Sequence, residues 1–435
     1  MIETYSTNVD STPSSAPHTP LADRVSWRAV FWILLACSTY HLLLCFVNTW
    51  VFRTSPATVG LAEILIYAAC IPIIARRISL QALLVFSLIA INFCVIALIR
   101  GEFDFKSVRD LAIPVFFVWV GRNVASEHCA DDALKRVVVV VLAAGFFELL
   151  FVNLFSSLFD VFSYYVSIGG INEKGAMYVG QKLALNGFRP EGIGRTILPD
   201  LLGNHRVSSV FLEPVSLGNF AVIITAWGLS KDRSEAPLAL FYLASAVILV
   251  ALSDSRFGML IIAGMMAIRC VHLAGASVIA SVLPFLSVAG ILVLGTYLRT
   301  SGDNFLGRLF LSGSSLLNFN EQRLLGVGSV FIFYGDAGYP YIFSRFGLLL
   351  CIFLWFFFFL IPRSDAKGQR FRVFVASYMS LILSVSGSSF FALKTAGLLW
   401  FLFGVLSVQK IGLSSLQANR KTGRGAAKLQ VSAAS

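Results

Sequence analysis

Long apolar runs separated by short polar breaks fill the chain from about residue 29 to residue 409. A membrane-spanning helix needs roughly 20 consecutive, mostly apolar residues. Runs of that order predict about twelve helices, near 29–52, 58–75, 79–98, 107–121, 137–157, 216–230, 236–253, 256–272, 273–297, 341–361, 371–389 and 391–409. The fourth and sixth are short enough to be partly re-entrant, and almost no loop joins the eighth to the ninth. The run from Trp355 to Leu360 (WFFFFL) is apolar on every side and predicts a lipid-facing stretch. Two longer polar segments, about 158–215 and 298–340, interrupt the series. The pattern therefore predicts an all-α, polytopic integral membrane protein of about 12 transmembrane helices with two large periplasmic loops. Residues 1–27, rich in Ser, Thr and Pro and without apolar periodicity, read as a disordered cytoplasmic tail rather than a secretory signal. Residues 28–409 form the transmembrane domain, and 410–435 a basic cytoplasmic tail.

Composition agrees with this reading. Of 435 residues, 57% are hydrophobic and only 13% charged, with a mean hydropathy of +0.80. Soluble domains carry about 25% charged residues, so an enzyme with an ordinary water-facing surface is excluded. The formal net charge of +11 suggests nucleic acid, an acidic surface or the charge bias of a polytopic protein. With the N-terminus in the cytoplasm and twelve spans, the inner loops and tails hold 19 basic and 9 acidic residues, a net +10, leaving +1 elsewhere. Lys and Arg in short loops set orientation, so the charge is an orientation signal and implies no nucleic acid. Both termini are then expected in the cytoplasm. The seven cysteines form no CxxC or Cys/His cluster, which predicts no metal centre. A GxxxxGK[ST] loop and an Asp-x-Asp pair are both absent, so no machinery for nucleotide or nucleotide-sugar faces the cytoplasm. Chemistry is expected at the outer face, on a substrate already activated, with no cofactor.

Candidate residues cluster at the outer ends of the predicted helices. Glu213 and Pro214 stand at the start of the sixth helix, where proline suits the first turn and an acid suits the helix dipole. Glu213 is either a cap or a carboxylate placed to take a proton from a hydroxyl. Arg109, Arg206 and Arg256 fall at one predicted rim, and arginine forks bind phosphate oxygens bidentately. Their alternative role is to neutralise Asp110, Glu213 and Asp254. The second outer loop carries Gly326-Val327-Gly328, then Asp336, Tyr341, Arg345 and Gly347, in which glycines permit tight turns and aromatics can stack on sugar rings. Glu148 falls near the middle of the fifth predicted helix, where an acid is expensive; it is either a proton-coupling group or a structural acid paired with another helix. His41 reads as a hydrogen-bonded packing residue. Lys394 either snorkels or joins the cationic site.

The order of these elements resembles a family. The Lys106/Arg109 helix start, Arg206…Phe211-Leu212-Glu213-Pro214…Gly218, Ser253…Ser255-Arg256-Phe257-Gly258 and Gly326-Val327-Gly328…Asp336…Tyr341…Gly347 are similar to the bacterial O-antigen polymerase/ligase superfamily, in particular its Wzy-type exopolysaccharide polymerases of the xanthan type. The resemblance covers about residues 29–409. It implies an enzyme of the bacterial inner membrane that transfers a growing chain from undecaprenyl pyrophosphate to a new lipid-linked repeat unit, with neither metal nor nucleotide. Its substrate partner would be the undecaprenyl-pyrophosphate-linked oligosaccharide, with a chain-length regulator and export proteins as further partners. The implied site has Glu213 or Asp336 as the base and Arg109, Arg206, Arg256 and Arg345 on the pyrophosphate. The ligase branch uses an outer-loop histidine in a different motif, which His205 does not match. A repeat-unit flippase or exporter, an O-antigen ligase, and a synthase subunit without its own site are the rival readings.

Overall fold

The computed structural model describes residues 25–124, 126–172, 182–183, 194–271, 276–300, 304–328, 334, 337–359 and 366–407. Among them every regular element is helical. The chain runs through α1 (Trp27–Trp50), α2 (Pro56–Ile74), α3 (Leu80–Arg100), α4 (Phe105–Val124), α5 (Glu127–Leu150), α6 (Val152–Leu158), α7 (Val161–Ser167), the single turn α8 (Pro199–Leu202) and α9 (Pro214–Ser230). It continues through α10 (Ala236–Ser253), α11 (Arg256–Val271), α12 (Ala276–Tyr297), α13 (Phe305–Leu317), the turn α14 (Glu321–Leu324) and α15 (Gly338–Phe346). The last elements are α16 (Leu348–Phe359), α17 (Ala366–Val385), the turn α18 (Ser388–Phe391) and α19 (Leu393–Val405). Serine hydroxyls set several starts: Ser26, Ser55, Ser79 and Ser126 each accept a backbone N–H in the first turn of α1, α2, α3 and α5.

Each of the twelve predicted segments falls on a helix, but the spans are fewer by strict criteria. Five described helices are long and apolar enough to cross a membrane, and seven if each of two bent pairs counts as one span. One bend, of 109°, separates α5 from α6 and α7 at Phe151, inside the predicted 137–157 run. The other, of 107°, separates α15 from α16 at Gly347, inside 341–361. Gly347 has φ +79°, a left-handed conformation that glycine adopts at little cost, and a side chain there would strike the carbonyl of Leu325. Gly326 and Gly347 thus mark a crossing of two backbone segments, which Arg100 secures by donating to the carbonyls of Gly326 and Ser344.

The helices are sorted by what surrounds them. Nearly all of α9 and α19 is buried, and most of α17. On α2 and α3, Leu61, Ile64, Leu65, Leu84, Ile91 and Leu98 are exposed. An apolar exterior around a helical interior is the arrangement that lipid imposes, because backbone polar groups are satisfied only within helices there. The bundle is thus that of a multi-pass helical membrane protein. At its centre α4 and α19 meet at Gly121 and Gly404, where a side chain would overlap the carbonyls of Phe401 and Val118.

Three expectations change. The run Trp355–Phe359 is not uniformly outward: Phe358 and Phe359 are buried against Trp400 and Phe403, while Phe356 looks out. The two long polar segments are partly helical. In the first, α7 packs on the last turns of α1, tied by Ser167 Oγ donating to Asn48 Oδ1 at 2.9 Å; in the second, α13 lies along α12. Finally, α5 begins ten residues before the predicted run, so Glu148 lies in its last turn rather than at its middle.

Contacts define two ends of the bundle. The starts of α2, α4, α9 and α19 share one, called the upper end; the starts of α5 and α17 and the close of α9 share the other, the lower end.

Candidate functional site

The upper end gathers buried ionisable groups from helices far apart in sequence. Glu63, in the second turn of α2, is buried; it accepts from Tyr40 Oη at 3.1 Å on α1 and pairs with Arg109 at 3.4 Å on α4. Arg109 also holds Asp110 Oδ1 at 2.8 Å, and the other Asp110 oxygen accepts from Tyr341 Oη at 2.7 Å on α15. Asp104 just before α4 accepts from Ser107 and pairs with Arg345 at 3.1 Å. All three guanidinium nitrogens of Arg109 donate to these two acids, Glu63 and Asp110, while the side chain as a whole remains 39% exposed.

A second pair lies beside this chain. Lys394, in the first turn of α19, donates to Glu213 Oε2 at 2.7 Å and to Phe211 O at 3.1 Å. Ser216 donates to the same Glu213 oxygen at 2.7 Å. Glu213 stands at the N-cap position of α9 but its side chain does not cap that helix. Its charge answers Lys394, a partner 181 residues away. Burial alone would raise the Glu213 carboxyl; the Lys394 charge and the bonds from Lys394 and Ser216 outweigh it and bring the group down to about 2. His41 joins the two clusters. Its Nδ1 lies 2.6 Å from Tyr164 Oη, its ring stacks near Tyr40, and it sits in the electrostatic field of Lys394, Glu213 and Arg109. Tyr165 is buried beside Glu213.

The predicted arginines separate into two groups. Arg109 and Arg345 both attach to the start of α4. Arg206 and Arg256 flank the α10–α11 turn: Val207 N donates to Leu252 O at 3.0 Å, and Arg256 Nε to Thr196 Oγ1 at 3.3 Å. Of the proposed neutralising pairs, Arg109–Asp110 forms, whereas Glu213 takes Lys394. Asp254 accepts instead from the backbone of Thr196 and Ile197 and from the Thr196 hydroxyl. Asp336 lies outside the described residues.

Glu148 and Arg195 both anchor the segment 194–212. Glu148 is buried, with both oxygens on Ser208 and Ser209 and His205 Nε2 at 2.9 Å. A carboxylate so engaged stabilises a turn, which fits the structural alternative read for it. Arg195, buried, donates to the carbonyls of His205, Ala251 and Leu252. At the lower end, ligand atoms of Glu127, Asp131 and Glu235 lie within 4.8 Å of one another. The ammonium groups of Lys231 and Lys367 already sit among them, so the chain's own cations offset much of the cluster's charge.

Glu63, Tyr40 and Tyr164 were not anticipated. Glu63 carried a readable signal, a lone acid inside an apolar helix; the two tyrosines carried none, since their roles depend on partners in other helices.

No family model matches the chain, and no curated protein or solved structure matches it.

Proposed function

We propose that this protein polymerises undecaprenyl-pyrophosphate-linked oligosaccharide repeat units into exopolysaccharide or O-antigen at the periplasmic face of the bacterial inner membrane. In this reading all twelve apolar segments cross or enter the membrane, both termini are cytoplasmic, and the upper end faces the periplasm. One observation carries the proposal: Arg109, part-exposed, lies in an ionic chain with buried Glu63 and Asp110 and with Tyr341, beside the Glu213–Lys394 pair, at one end of an apolar bundle. Fixed charge aimed at a departing group is often the largest catalytic contribution.

The reaction needs two things from the protein. As the acceptor hydroxyl attacks the anomeric carbon, the carbon–oxygen bond to pyrophosphate breaks and the pyrophosphate leaves with the electron pair. Arg109 and Lys394, with Arg345 beside the start of α4, supply positive charge for it, Arg206 and Arg256 being the further candidates at the α10–α11 turn, and the starts of α2, α4, α9 and α19 add their partial positive ends. The acceptor proton goes to a carboxylate. Lys394 and Ser216 both donate to Glu213 Oε2, so Oε1 is the oxygen assigned to the acceptor hydroxyl; Asp336 is the second candidate. A carboxylate of such low basicity takes the proton late, once bond formation has acidified the hydroxyl.

The test is conversion of purified lipid-linked repeat units by the purified protein without nucleotide. A ladder of longer lipid-linked chains is the expected product, and an unchanged single unit would refute the reading. In cells, loss of the protein should leave single units on lipid at the outer face; units trapped inside would identify a flippase.

A further inference from the structure

The basic residues of the lower end are of two kinds. Lys231, Lys367 and Arg370 each rest on an acid. Arg76, Arg77 and Arg122 do not: among the described residues none of them pairs with a carboxylate. The fold nevertheless gathers these three at one place, where α2 closes, α3 starts and α4 ends. Trp119 Nε1 and Asn123 Nδ2, in the last turns of α4, donate to Arg77 O at 3.1 and 3.2 Å. Asn123 Nδ2 also reaches the carbonyls of Ile73 and Ile74 at 2.9 and 3.1 Å. Arg122 Nη1 donates to Gln81 Oε1 at 3.0 Å, in the first turn of α3.

Arginines in short loops orient a membrane protein, but that role needs no fixed geometry. Here side chains of α4 stitch the α2–α3 turn in place, and Gln81 holds a half-buried Arg122 beside it. Three like charges so placed repel one another unless an anion lies among them. The acids that follow α4 do not supply it, because Glu127 is held by Lys231 and Lys367 and Asp132 by Lys135.

The surroundings select the kind of anion. Arg76 and Arg77 are exposed, and Ile78, the next residue, is 72% exposed. Ile71, Leu80 and Leu84 are exposed on the adjoining turns of α2 and α3. Guanidinium groups take phosphate oxygens in pairs, and exposed apolar side chains beside them take hydrocarbon. A soluble phosphate uses only the first feature, whereas a phospholipid uses both. Basic pockets between the ends of membrane helices bind such headgroups.

We propose that the α2–α3 turn and the close of α4 bind the phosphate of an anionic phospholipid, whose acyl chains lie on the exposed faces of α2 and α3. The site stands whether or not the upper end polymerises sugars. Near their other ends α2 and α4 carry Glu63 and Arg109, paired at 3.4 Å, so a headgroup that ties the lower ends of these helices also braces that pair.

The test titrates the full chain, in a neutral detergent, with cardiolipin as the probe, and reads bound lipid by native mass spectrometry. A single lipid should be retained more tightly than the rest, and the melting temperature should rise as it binds. Arg122→Gln should weaken this binding by at least about fivefold, what one basic residue contributes at an anionic surface. Gln81→Leu, which leaves every charge in place, should weaken it by a smaller factor and serves where Arg122→Gln does not fold. Lys135→Ala removes the same charge from α5, where Lys135 pairs with Asp132, and should leave the binding unchanged. Equal weakening by Lys135→Ala would mean a diffuse charge effect. Displacement of the lipid by glycerol phosphate at equal concentration would mean a site for free phosphate. Either result would overturn the proposal, as would binding indifferent to both Arg122→Gln and Gln81→Leu.

Discussion

The two ends of the bundle both bury ionic clusters, but they are built differently. At the lower end Lys231, with no side-chain exposure, lies 2.9 Å from Glu127 and 2.8 Å from Asp131. Lys367 bridges Glu127 and Glu235, and Arg370 holds Asp232 at 2.5 Å and the carbonyl of Ser230. Trp227 and Tyr242 donate to Asp131 as well. Lys231 ties the close of α9 to two acids of α5, and Lys367 ties α17 to acids of α5 and of the α9–α10 connection. At the upper end Lys394 and Arg345 are buried on their acids as well, but Arg109 is not. Arg109 is anchored by Glu63 and Asp110 yet 39% exposed, and tyrosine hydroxyls and His41 are interleaved. A network of paired charges shared between helices locks them together. One with an exposed cation keeps positive charge available to a ligand.

The largest effect should come from the lower end. Lys231→Met leaves Glu127 and Asp131 buried without their shared cation. Removing one partner of a buried pair costs about 3–5 kcal/mol, a large part of the ~5–15 kcal/mol that stabilises a typical fold. Thermal unfolding of the detergent-purified protein should show most folded material lost. The double change Lys231→Met with Asp131→Asn should recover a substantial part. A single variant as stable as the parent would mean that the lower cluster locks nothing.

The upper end should respond in activity. Arg109→Ala is expected to lower chain extension per folded molecule by about 10²–10³, the range seen when one preorganised donor to developing charge is removed. Its melting temperature should fall less than that of Lys231→Met. The reverse pattern, a collapse of folding with normal turnover of what remains, would make Arg109 another lock and erase the contrast between the ends.

The sequence made one half of this contrast legible. Helix positions could be read because apolar runs of about 20 residues have few other solutions in a chain so poor in charge. The Glu213–Pro214 start of α9 was visible for the same local reasons. The bends at Phe151 and Gly347 were not, because the runs 137–157 and 341–361 stay apolar through them and only packing decides where they break. Glu63 was readable as a lone acid in an apolar helix, and Glu148 was read at the wrong depth because α5 starts among polar residues that hydropathy excludes. Lys394 with Glu213, and Tyr341 with Asp110, pair across 181 and 231 positions. No local pattern encodes such a pair.

A smaller effect should separate anchor from catalyst among the acids. Glu148→Gln removes the charge that accepts from the Ser208 and Ser209 backbone, and weakening buried hydrogen bonds of this kind costs about 1–3 kcal/mol. Limited proteolysis should cut faster within 194–212. Chain extension by the intact fraction should persist and remain indifferent to a proton gradient. Loss of activity with the segment still protected would return Glu148 to the chemistry.

The finest distinction concerns Glu213, whose ion pair belongs to the upper end but has the chemistry of a lock. Its carboxyl is lowered in the folded protein to about 2, against an ordinary value of ~4.3 for glutamate. A lowered folded value stabilises the fold at every pH above the unfolded value, and that contribution is lost as pH falls through the folded one. The melting difference between the parent and Glu213→Gln should therefore stay constant from pH 8 to about pH 5 and shrink below about pH 4. Turnover tests the other role. If Glu213 accepts the acceptor proton on Oε1, the glutamine variant should lose turnover throughout the neutral range, and the parent should show no acid limb between pH 6 and 5 from this group. Full turnover in Glu213→Gln, together with the constant melting difference, would leave Glu213 as a lock for Lys394 and pass the base to Asp336.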